Sequence, residues 1–102
     1  MKSKKFKKES DFQHFVICEI QEQLAGAVVL KNDANYCQGI PDWIIIYKNK
    51  YAFLEMKVSD KANHQPNQDY YINKFDNDSF AAFIFPENKD EVLMEMYKYL
   101  LE

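Results

Sequence analysis

Arginine is absent from the 102 residues, so every basic contact the chain makes must come from lysine. Cysteine is scarce, and the two present, Cys18 and Cys37, share no close motif. That excludes a disulfide framework and a thiolate zinc site and points to a reducing setting. Only 2 glycines and 3 prolines argue against long disordered stretches. No apolar run approaches the ~18 residues of a membrane span, and no apolar stretch follows the basic start as it would in a signal peptide. The expectation is a protein without a membrane partner, cytoplasmic in a bacterial or phage-infected cell.

What is present is a globular composition, 47% hydrophobic and 16% aromatic, in a length suited to one core. Charge is unevenly placed. The net value is -3, yet Lys2, Lys4, Lys5, Lys7 and Lys8 supply five of the 13 basic residues, leaving an acidic body. Residues 1 to 8 are therefore read as a basic N-terminal arm and 9 to 102 as a single domain. The arm is either a solvated tail or a phosphate-contacting, DNA-binding segment.

Periodicity gives the element order. Ser10 and Gln13 have the form of a capping box, and Phe12, Phe15, Val16, Ile20 and Leu24 follow at helical spacing, which predicts a helix over 10–24 with a stop at Gly26. A short strand is expected over 27–30, a second one from close to Asp42 through Tyr47, and a third over 51–58. The spacing at Lys48-Asn49-Lys50 reads as a hairpin, with Asn49 suited to a left-handed turn. Pro66 suits the first turn of a second helix ending near Asn77, a buried strand spans 80–85, and Val92 to Leu101 mark a final amphipathic helix. The class is α/β, a small mixed sheet with a central antiparallel hairpin flanked by helices, in the order α-β-β-β-α-β-α.

On the third strand Phe53, Glu55 and Lys57 point one way and Ala52, Leu54, Met56 and Val58 the other. Two charges thus share one side of an otherwise apolar strand. On their own they read as a solvated face carrying a surface ion pair of little energetic value. Asp42 changes this. A turn at Lys48-Asn49 places it opposite Glu55, and a turn at Asn49-Lys50 places it opposite Lys57. Either way two carboxylates and an ammonium converge, an arrangement a divalent cation would stabilise. Hard oxygen donors suit Mg2+ or Mn2+, which lowers the pKa of a bound water and neutralises charge on a phosphoryl oxygen.

Gly39-Ile40-Pro41-Asp42, twelve intervening residues and then Glu55-Met56-Lys57 resemble the PD-(D/E)XK nuclease signature. Glu9-Ser10-Asp11-Phe12-Gln13 at the start of the first helix, with Gln68 and Tyr71 later, makes the chain similar to the VRR-NUC branch. The resemblance implies a restriction-endonuclease-like core. It further implies Asp42, Glu55 and the Met56 main-chain carbonyl as metal ligands, Lys57 as a catalytic group, Glu9 as an acidic residue and further ligand on the first helix, and Gln68 as an accessory residue.

The expected activity is metal-dependent hydrolysis of DNA phosphodiesters, structure-specific in the manner of a Holliday-junction resolvase. The alternatives are a phage or restriction-type nuclease on duplex or single-stranded DNA, and a non-catalytic binding module that keeps the fold. Resolving a junction takes two coordinated cuts, so a homodimer is expected, pairing through the aromatic helical layer that includes Tyr97 and Tyr99. His14 and His64 are isolated in sequence and are given no catalytic role.

Overall fold

The computed structural model describes residues 5–33 and 35–102; Lys2 and Lys4 of the arm fall outside them. The order along the chain is α1 (Glu9–Gln23), β1 (Val28–Lys31), β2 (Trp43–Tyr47), β3 (Lys50–Met56), α2 (Gln68–Asp78), β4 (Phe80–Ile84) and α3 (Lys89–Leu101). The strands form one sheet in the order β1-β2-β3-β4, antiparallel from β1 to β3 and parallel between β3 and β4, where α2 makes the crossover. This is the expected α-β-β-β-α-β-α arrangement.

The period-2 alternation of β3 divides the molecule into two cores. Ala52, Leu54 and Met56 face a large cluster with Phe12, Val16 and Ile20 of α1, Ile45 of β2 and Leu93 and Met96 of α3. On the other side Phe53 packs with Ala81 and with Ile72 of α2. The second face of β3 is therefore not solvated. Glu55 is 2% and Lys57 7% exposed, which rules out a surface ion pair.

Several local expectations shift. The α1 helix begins at Glu9 with Lys8 as its N-cap and no side-chain cap, so Ser10 lies inside the helix and the capping box is not formed. Of the two turn residues Lys48 is left-handed (φ 57°) where the sequence points to Asn49, because the first central position of such a turn must turn left to match the strand twist. Pro66 precedes α2 rather than opening it; Asn67, at φ 72°, is the N-cap. Tyr97 and Tyr99 are partly buried and pack against the main core. The exposed apolar side chains include Val28, Leu30 and Tyr51 on the sheet and Tyr70, Met94 and Leu101 on the helices.

Candidate active site

The hairpin turn fixes the geometry. With Trp43 opposite Leu54 and Ile44 opposite Phe53, the next position outward sets Asp42 beside Glu55. Of the two registers the sequence allows, the chain adopts this one, and the Asp42 main-chain N–H donates to Glu55 Oε1 at 3.2 Å. Lys57, two residues on and on the same face, holds its Nζ 3.7 Å from Glu55 Oε2. Asp42 itself is only half-buried.

Neighbouring segments hold Asp42 in place. Asn32, just past β1, donates its side-chain amide to the Pro41 carbonyl at 2.8 Å and its backbone N–H to the Asp42 carbonyl at 2.7 Å. Gly39, at φ +91°, passes so close to the Pro66-Asn67 turn that an added Cβ would sit 2.5 Å from Asn67 Cβ and 2.8 Å from the Pro66 carbonyl oxygen. That contact brings the start of α2 against the loop before Asp42. Gln68 is buried there, accepts the Gln65 N–H at 2.8 Å and shares with Asp42 a hollow also lined by Gln38, Gly39, Ile40 and Gln65.

A second cleft opens on the other side of Asp42, lined by Glu9, Gln13, Lys31, Asn32 and Asp33 as well. Gln13 donates to Glu9 at 3.4 Å, one helical turn along α1. Sequence reading placed Glu9 here and missed Gln13, Lys31, Asn32 and Asp33. The four-residue spacing from Glu9 puts Gln13 on the same helix face and was the available signal for it. His64, given no role, stacks on Phe83 at 4.0 Å and bonds Asp69 at 3.0 Å. Of the arm lysines, Lys5, Lys7 and Lys8 are exposed beside the start of α1.

Electrostatics follow from burial and proximity. Burial raises the Glu55 carboxyl first, and the Asp42 charge and a hydrogen bond to its side chain raise it further; Lys57 opposes them, and the result is a pKa pushed up to about 8. Burial and the neighbouring Asp42 thus favour the neutral form of Glu55. Glu9 is also raised, by burial and then by Asp42, with Lys57 and Lys31 acting the other way.

This strained carboxyl pair suits a hard divalent cation. Its donors would be the two carboxylates and the Met56 main-chain carbonyl, all oxygen, and the cation's charge would favour the ionised form of Glu55 against the burial and the Asp42 charge that raise it. Among the described residues no three His, Cys, Asp or Glu side chains converge into a metal cage. Glu9 shares the cleft with Asp42, whose charge helps to raise its carboxyl.

No family model matches the chain, and no curated protein matches it in sequence. A solved structure described as a VRR_NUC domain does match in three dimensions, with a TM-score of 0.67 and 22% identity over 87% of this chain and 97% of that one. The chain has the α/β fold of that domain.

Proposed function

We propose that the protein is a metal-dependent endodeoxyribonuclease of the VRR-NUC kind, and that Asp42, Glu55 and Lys57 form its centre. The observation that carries this reading is the placement of Asp42 beside a buried Glu55, with Lys57 Nζ 3.7 Å away, at the open end of the hairpin. A nuclease-type fold accounts for the scaffold. A binding module that merely kept this fold would have no need to bury Glu55 beside a second carboxylate.

Asp42, Glu55 and the Met56 carbonyl would hold Mg2+ or Mn2+, which supplies charge neutralisation at the scissile phosphate and a more acidic bound water. The chain's own groups do the rest. Lys57 is anchored by β3 and by its N–H bond to the Ile84 carbonyl at 2.9 Å, so its ammonium is held where it can orient the attacking water or stabilise charge on the phosphorus oxygens. Gln68, fixed through Gln65, lines the hollow beside Asp42 as an accessory contact. Glu9, with Gln13, shapes the opposite wall.

The substrate class proposed is branched DNA of the Holliday-junction type, cut by a homodimer that supplies two sites for two strands. Ordinary duplex or single-stranded DNA, as in phage or restriction biology, is the competing substrate for the same centre. A cleavage assay on duplex, flap and four-way junction DNA with magnesium or manganese separates them. Preferred cutting of the junction, abolished by chelator, is the expected result. Equal cutting of all three would replace the resolvase reading, and no cutting of any with either metal would overturn the nuclease reading.

A further inference from the structure

Any nucleic-acid strand approaching this site faces an electrostatic obstacle, because the body beyond the arm carries 16 acidic residues against 8 lysines. Three of those lysines are already committed. Lys57 is buried against Glu55, Lys89 bridges Glu19 and Asp90 at 2.7 Å each, and Lys50 donates to the Tyr99 carbonyl at 3.0 Å. Lys31 is different: it is exposed, lies over the Trp43 ring and lines the cleft that holds Glu9 and Asp42.

Further exposed cations, Lys5, Lys7 and Lys8, precede α1, and the segment 5–8 is anchored. Phe6 is half-buried against the main core, its ring 5.3 Å from that of Phe12 and 5.4 Å from that of Phe15. Lys5 and Lys7 flank it, and Lys8 is the N-cap of α1, directly bonded to Glu9 of the cleft wall. No ion pair ties Lys5, Lys7 or Lys8 to any acid among the described residues. An apolar anchor between lysines thus holds positive charge on an otherwise acidic molecule at the start of α1, the helix that carries Glu9 of the cleft wall.

We propose that Phe6 pins the basic segment beside the cleft, and that Lys5, Lys7 and Lys8, together with Lys31, form the track by which the sugar-phosphate backbone of a DNA strand reaches Asp42 and Glu55. This rests on the nuclease reading but adds to it a positioning residue and a binding surface. Phosphate contacts carry no sequence information, so the track favours register and affinity rather than base choice.

The test is DNA binding, measured by fluorescence anisotropy of a labelled duplex in chelator across a range of salt concentrations, with the intact chain. Each lost lysine–phosphate contact lowers the slope of log affinity against log salt by about 0.9, so replacing Lys5, Lys7 and Lys8 together by Gln should lower it by about 2.7. Phe6→Ser should weaken binding severalfold with every lysine still present, and Phe6→Leu should restore it. An unchanged slope in the triple variant, or wild-type affinity in a folded Phe6→Ser protein, would overturn the proposal. If Phe6→Ser fails to fold, the triple variant, which alters only exposed side chains, decides alone. Cleavage with magnesium by the wild type is scored separately. Cutting with unchanged binding in the arm variants defeats the track alone, whereas arm-dependent binding without cutting defeats the catalytic reading alone.

Discussion

Glu55 is the residue in which environment and chemistry are most tightly joined. It lies on the half of β3 that alternation assigned to charge, and burial holds its pKa at about 8. A carboxyl raised in the folded state stabilises the fold fully below its unfolded pKa and loses that contribution as pH rises through the folded value. The metal-free protein should therefore lose stability between about pH 4.5, the unperturbed value, and pH 8. Glu55→Gln should flatten that dependence and be the more stable protein at pH 9, as read by denaturant unfolding at pH 6 and pH 9. Added Mg2+ or Mn2+ should raise the melting temperature of the wild type and not that of Glu55→Gln. Lys57→Ala should keep the metal-induced rise in melting temperature while losing about 100-fold or more in turnover, the scale of removing one preorganised charge contact. Retained turnover in Lys57→Ala would show that another group orients the water. Glu55 and Lys57 were legible as a pair on one strand face. Their burial was not, because it depends on α2 packing over Phe53, a contact between segments far apart in sequence.

At the scale of elements, the hairpin was the most legible part of the chain. Strands of clear alternation joined across Lys48 and Asn49 left only two registers that keep Asp42 on the face of Lys57, and the observed one sets it beside Glu55. Helix starts were less legible. Ser10-x-x-Gln13 matched a capping box, yet the helix begins one residue earlier and Gln13 turns to Glu9, since tertiary contact with the cleft outweighs a cap worth about 1 kcal/mol. Nor does any local pattern reveal that Gly39 must touch the Pro66-Asn67 turn. That contact yields a prediction for the element junction. Gly39→Ala combines a left-handed backbone with a clash against main-chain atoms, and should cost about 1–3 kcal/mol in unfolding free energy. It should also lower turnover by displacing the start of α2, and with it Gln68, from Asp42. A Gly39→Ala protein of wild-type stability and rate would show that the loop and α2 are not coupled.

Over the whole molecule, the sheet order and the two cores follow from alternation and helical spacing, whereas the free surfaces follow from which faces the helices happen to cover. Tyr97 and Tyr99 illustrate this: helical spacing marked them as apolar, and α3 turns them onto the main core, while Val28 and Leu30 on the edge strand stay exposed. The proposed homodimer predicts sedimentation at twice the 12.2 kDa chain mass at assay concentration, and a monomer that still makes paired cuts would refute it. No helix among the described residues is long and apolar enough to cross a membrane. The central claim, that the Asp42–Glu55 pair supports metal-dependent phosphodiester hydrolysis, is tested most directly by single-turnover cleavage of a labelled junction with saturating manganese, wild type and Glu55→Gln side by side. The account predicts cutting by the wild type and none by a fully folded Glu55→Gln, and equal rates in the two proteins would contradict it.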